Sequence, residues 1–223
     1  FTVKAPNSIM LTHFYSRQPK AYRKYANRPN KHFLSTELLK RFLDTLSPME
    51  GKLGPVMFQF EYLNRKKMPS MEAFLERLHA FFADAPSGYQ YAVETRNPNY
   101  LSPPFFDFLG DHGLGFVFLD GYYMPPIGEV FQEHGAATTD FRVIRLHGAD
   151  REEIEASTGK DWSRIIVPRP EGIRAAAAIT RSNARKGIRT IINVNNHYEG
   201  SAPVTIERFL HGLGRTGQDE PPC

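Results

Sequence analysis

The 223 residues are 41% hydrophobic, enough to build a sizeable core in one domain. With one cysteine, Cys223, no internal disulfide can form, which fits a reducing compartment, and no apolar run approaches the ~20 residues of a membrane span, so a soluble, cytoplasmic protein with no membrane partner is expected. The net charge of +4 is uneven: seven Lys or Arg precede the first acid, Glu37, which leaves 21 basic against 24 acidic side chains in the rest.

In chain order, residues 2–5 read as a strand that ends at Lys4. A basic stretch over about 12–31 follows as a long loop, with Arg17, Lys20, Arg23, Lys24, Arg28 and Lys31 among Tyr15, Tyr22 and Tyr25. Leu38, Leu39, Phe42, Leu43 and Leu46 then form a helical stripe behind Ser35 or Thr36 as its cap. Residues 55–60 are a second strand. Val56, Met57 and Phe58 are apolar on consecutive positions, the pattern of a parallel strand covered on both faces. A helix carrying Phe74, Leu75, Leu78, Phe81 and Phe82 starts near Pro69 and Ser70. Strand 90–95, a short helix 102–109 with two prolines in its first turn, and strands 115–119 and 142–146 come next. Residues 148–170 read as a second long loop, with the only tryptophan, Trp162. Helix 172–186 stops at Gly187, strand 190–194 follows, and helix 202–213 closes the series.

Strand alternating with helix predicts βα units and a parallel sheet. The expectation is a TIM-barrel-like α/β fold, one domain over 1–213 with a disordered tail over 214–223. Six strands against the eight of a closed barrel predict that the first two units are missing, which would leave an open sheet edge.

Active sites of such barrels gather where the strands end. Each strand end here carries polar groups: Lys4 with His13 beyond it, Gln59, Glu94 with Arg96, Asp120, Arg145 with His147, and Asn195, Asn196 and His197. Any one of them suits a turn; together they predict a polar rim. Glu94, His147 and Asp120 are the candidate acid–base residues. Lys4, His13, Gln59, Arg96, Arg145, Asn195, Asn196 and His197 are the candidate ligand contacts. Glu94 with Arg96 is equally readable as an internal ion pair, and the amides of 195–196 as caps of the next helix. A divalent metal on Glu94, Asp120, His147 and His197 is conceivable, but no HxH, HExxH or CxxC spacing supports it. Neither GxGxxG nor GxxxxGK[ST] occurs, so those routes to a nucleotide cofactor have no support.

These strand-end residues carry a resemblance. Phe1-Thr2-Val3-Lys4-Ala5-Pro6 with Thr12-His13, Leu53-Gly54-Pro55-Val56-Met57-Phe58-Gln59-Phe60, Ala92-Val93-Glu94-Thr95-Arg96, Arg145-Leu146-His147-Gly148 and Asn195-Asn196-His197-Tyr198-Glu199-Gly200 run through nearly the whole chain. In this order they resemble the DUF72, or YecE-like, family. The resemblance implies a TIM-barrel-like fold, no assigned activity, and an opening Gly-rich strand and aromatic unit that precede Phe1 in the family. Prolines often follow the second strand in that family; Glu61-Tyr62-Leu63 stand here. The reading is a family member with a polar pocket for an anionic or polyhydroxylated small molecule, a hydrolase or isomerase acting on a phosphorylated or sugar-like ligand. The alternative is a nucleic-acid binder, or a metal-dependent phosphodiesterase, that uses the basic loop 17–31.

Overall fold

The computed structural model describes residues 1–16, 18–148 and 151–214. Arg17 of the basic stretch and the expected tail beyond Gly214, Cys223 included, lie outside the described residues. The chain divides into two compact units, Phe1–Gly115 and Phe116–Cys223. Among the described residues no helix is long and apolar enough to cross a membrane.

The first unit runs β1 (Val3–Lys4), α1 (Asn7–Met10), α2 (Thr36–Leu46), β2 (Val56–Gln59), α3 (Met71–Ala83), β3 (Tyr91–Glu94) and α4 (Pro103–Asp111). Its strands are parallel in the order β1-β2-β3, with Lys4 level with Met57, Met57 with Ala92, and Gln59 with Glu94. Both long helices begin as their sequences dictate. Ser35 accepts a hydrogen bond from the Leu38 N–H at 3.3 Å and Ser70 from the Ala73 N–H at 3.2 Å. Phe58 packs on Phe81 and Phe82 of α3, ring centroids 5.5 and 5.2 Å apart. Side chains alternate across a strand, so Val56 and Phe58 face the helices while Met57 and Gln59 face the other way. The register puts Lys4, Ala92 and Glu94 on that second face too.

The basic stretch is more ordered than the loop expected from its composition. Lys20–Tyr25 form a 3₁₀ helix, and His13 pairs with Pro29 in an antiparallel bridge. Buried Asn30 fastens the stretch: its Nδ2 donates to the Ser8 and Leu11 carbonyls at 2.8 and 2.7 Å, and its Oδ1 accepts from the His32 N–H. Side-chain amides substitute here for sheet pairing, which apolar periodicity does not register.

The second unit runs β4 (Gly115–Gly121), α5 (Ile127–His134), β5 (Phe141–Gly148), α6 (Arg151–Thr158), α7 (Pro170–Arg185), β6 (Arg189–Val194) and α8 (Ala202–Gly212). Its strands are parallel in the order β4-β5-β6, with Leu119 level with Arg145 and Arg145 with Asn193. Two helices were not expected. The α5 stripe of Ile127 and Val130 is short and sits behind Pro125-Pro126, which reads as a loop; α6, inside the expected loop 148–170, buries only Ile154 and so shows no stripe. On the helix-packed face of β4, Phe118 lies 5.9 Å from Phe131 of α5. The buried Arg142 guanidinium reaches the same face, 5.0 Å from the Phe131 ring, and donates to the Gly135 carbonyl at 2.6 Å. Arg145 and His147 alternate with it and face the opposite way.

Candidate functional site at the strand ends

In the first unit, Glu94 is fully buried and accepts a hydrogen bond from Gln59 Nε2 at 3.0 Å. Arg96 Nε stands 3.9 Å from its other oxygen, with the arginine side chain about a quarter exposed. The buried carboxylate thus sets its charge beside Gln59 and Arg96 on the strand-end face. Lys4 shares this face and is exposed. His13 is set apart, in a chain of contacts that runs from its Nδ1 to Thr12 Oγ1 at 3.2 Å, and from the Thr12 hydroxyl to Glu61 at 3.2 Å; Glu61 also pairs with Lys67. His13, Glu61 and Lys67 line a hollow of about 330 Å³.

In the second unit, Arg145 and His147 emerge on the face opposite the helices, Arg145 level with Asn193. Tyr122 Oη lies 3.2 Å from His147 Nε2, and the rings lie 4.6 Å apart. With its proton on Nδ1, His147 accepts the phenolic hydrogen at Nε2. The backbone makes an unusual effort to place this pair. Tyr122 has φ of 52°, a left-handed conformation that costs a bulky residue about 1 kcal/mol or more. The strand ends also crowd: a Cβ on Gly121 (φ 147°) would strike the Gly148 backbone, and one on Gly148 (φ 87°) would strike the His197 carbonyl. Only glycine allows both the approach and the conformation.

The turn after β6 uses its polar residues largely on itself. Asn195 Oδ1 accepts from the His197 N–H at 3.0 Å and contacts His197 Nδ1 at 2.7 Å. Asn196 Oδ1 accepts from the Ala202 N–H at 2.8 Å, which caps α8. His197 Nε2 lies 3.3 Å from Glu155 of α6, and its ring meets Trp162 edge-on at 5.0 Å. Arg151, bonded to Glu155 at 2.6 Å, is the chief cause that holds the Glu155 carboxyl below its ordinary range; His197 adds to it. Glu199 is fully buried and accepts from the Arg169 N–H at 2.6 Å, the Thr205 hydroxyl at 2.8 Å and Arg208 at 2.5 Å.

Asp120 is separated from Arg145 and His147. It alternates with Leu119 onto the helix-packed face, where its Oδ2 accepts the Tyr198 hydroxyl at 2.7 Å. There it lines a cleft of about 710 Å³ between the starts of α5 and α7, with Arg169 and Glu129. The structure thus brings Glu94, Gln59 and Arg96 together in one unit, and Arg145 and His147 in the other. Tyr122 and Glu155 escaped the sequence reading. Tyr122 stands two residues past Asp120, and Glu155 lies in a helix with almost no apolar signal. Among the described residues no three of His, Cys, Asp and Glu gather as a metal site would require.

Parallel strands returned by helices, with charged and amide groups at their carboxyl ends, define an α/β protein built from the units of a TIM-barrel-like fold with strand-end chemistry. The chain belongs to the DUF72 family, whose model, described as a protein of unknown function, matches residues 1–222. The resemblance carried by the strand-end motifs is therefore confirmed. A DUF72 family protein from Thermotoga maritima is 22% identical, with a TM-score of 0.64 over 96% of this chain and 74% of its own. One from Enterococcus faecalis is 17% identical, with a TM-score of 0.63 over 100% of this chain and 77% of its own. At these identities the likeness shows the fold. The comparison with curated proteins found no match.

Proposed function

We propose that the strand-end face of the second unit is the active site of an enzyme for an anionic, polyhydroxylated small molecule, a hydrolase or isomerase of phosphorylated or sugar-like substrates. The observation that carries this reading is Tyr122, held in a left-handed conformation with its hydroxyl 3.2 Å from His147 Nε2. Leu34 shares the left-handed conformation at φ 56°, but only at Tyr122, of these two, does it set a side chain against an imidazole nitrogen, as a proton-transfer pair requires. His147 takes and returns the proton, Tyr122 polarises it, and Arg145 meets the anionic group. Asn193, level with Arg145, orients hydroxyls.

The test is a panel of sugar phosphates that includes ribose 5-phosphate, followed by calorimetry for binding and by proton NMR for product, with inorganic phosphate as a further binding probe. Saturable binding that weakens at least ~10-fold in Arg145→Ala, with product formation lost in His147→Gln at unchanged melting temperature, is the expected result. Failure of every member to bind overturns the reading.

A further inference from the structure

The ordered basic stretch has a chemistry of its own. Tyr22 and Tyr25 lie three residues apart on a 3₁₀ helix, where positions three apart eclipse, so their rings project from one side. Both are exposed, at 58% and 40%, although aromatic rings of this size usually gain by burial. Tyr25 is braced from behind by Phe14, with ring centroids 5.9 Å apart. Lys24 Nζ stands 5.1 Å from the Tyr25 ring centre. The rings border a hollow of about 600 Å³, whose rim also carries Arg28, Lys31 and His32. Among the described residues no carboxylate lies within ion-pair distance of Arg28 or Lys31, and the sequence holds no acid before Glu37. The scaffold is fixed: the Phe14 N–H donates to the Arg28 carbonyl at 3.0 Å, the Asn27 N–H to the Phe14 carbonyl at 3.1 Å, and Asn30 ties the stretch to α1 and the residue that follows it.

We propose that this hollow binds a nucleotide unit, with the base stacked on Tyr22 or Tyr25 and the phosphate against Arg28 and Lys31. Exposed rings on a braced support favour a planar partner, since stacking needs a flat face and a surface that does not collapse. A guanidinium and an ammonium group with no carboxylate at ion-pair distance among the described residues favour a phosphate over a neutral heterocycle. A sugar phosphate without a base would leave the tyrosines unused. The unit is either a free nucleotide or part of a single strand, and the site is independent of the His147 centre.

Fluorescence anisotropy with a labelled single-stranded 15-mer, and calorimetry with adenosine monophosphate, read the two sources apart. Binding of either is expected to weaken about tenfold in Tyr22→Ala, whose ring is the more exposed and the less needed for folding. In Arg28→Gln the salt slope of oligonucleotide binding is expected to fall by about 0.7, the value of one phosphate contact on a single strand. Binding by the 15-mer alone assigns the site to a strand; binding by both assigns it to the nucleotide itself. Three results overturn the proposal: neither probe binds, Tyr22→Ala binds as well as the parent chain, or ribose 5-phosphate or phosphatidylserine vesicles compete as well as the nucleotide does.

Discussion

Tyr198 donates its hydroxyl hydrogen to Asp120 Oδ2 at 2.7 Å, which ties the end of β4 to the turn after β6. Burial, with the Asp120 charge second, pushes the Tyr198 phenol well above the ordinary tyrosine range. The folded state therefore prefers the neutral phenol. Its contribution to stability is whole below the unfolded value of about 10 and is lost as pH rises towards the higher folded value. Denaturant unfolding between pH 9 and 11 is expected to show falling stability in the parent chain and a shallower fall in Tyr198→Phe. Some alkaline loss persists in the variant, because burial raises Tyr91 to about 12 as well. At neutral pH the variant loses about 1.5 kcal/mol, the low end for a bond to a charged acceptor, since Asp120 lines an open cleft and water can reach it.

Gly172 begins the same contact from the other side. A Cβ there would overlap both Asp120 Oδ2 and the Tyr198 hydroxyl. Gly172→Ala is expected to cost about 1–3 kcal/mol, the usual range for overpacking. Removing the hydroxyl as well gives Cβ part of its room. The double variant with Tyr198→Phe should therefore be less destabilised than the two single effects added together, as a double-mutant cycle would measure.

The six strands were legible because consecutive apolar residues such as Val56, Met57 and Phe58 have one physical use, a strand buried on both faces. The face each side chain takes was not. Asp120 and Arg145 look alike in sequence, yet one residue of register sends Asp120 among the helices and Arg145 away from them. In the same way, Asn196 carries no sequence mark that separates a ligand contact from the α8 cap it makes. Tyr122 was invisible for a further reason: its significance lies in a backbone dihedral, and a single tyrosine after a strand predicts none.

Glu94→Gln tests whether the buried carboxylate of the first unit works on a ligand or merely holds its neighbours. The amide keeps an oxygen for Gln59, and the contact to Arg96 is long at 3.9 Å with the arginine side chain partly in solvent. Because the carboxylate is fully buried, losing its charge in the isosteric amide is expected to cost about 1–2 kcal/mol. Loss of anion binding at the first unit's strand ends, at no more than that cost, would make Glu94 part of a ligand site there. A large drop in melting temperature would instead make it an internal strut.

Acid should release α6 from the strand end. Glu155, held low chiefly by Arg151 and then by His197, supports folding above its unfolded value of about 4.3 and loses that effect as pH falls through its lowered folded value. Trp162, the only tryptophan, touches His197 and so reports the event. Its fluorescence should change in a step below pH ~4. Removing the principal cause in Arg151→Gln should move that step upward, and Glu155→Gln should abolish it. A step unaltered in both variants would place the transition elsewhere.

Glu199 makes the strongest stability prediction. Its carboxylate is fully buried and takes hydrogen bonds from the backbone before α7, from Thr205 inside α8 and from Arg208 one turn further on. Its own carbonyl accepts from the Ile166 and Val167 N–H groups. One residue thus fastens the start of α7 to the first turns of α8. Removing one partner of a buried pair costs about 3–5 kcal/mol, and Arg208, a third exposed, can recover some solvation, so Glu199→Ala is expected near 3 kcal/mol. Glu199→Gln keeps the shape and an acceptor for the Arg169 N–H but loses the charge opposite Arg208, and should cost about half as much. If urea unfolding puts the alanine variant within about 0.5 kcal/mol of the parent, as for an ordinary surface change, the fastening role is wrong.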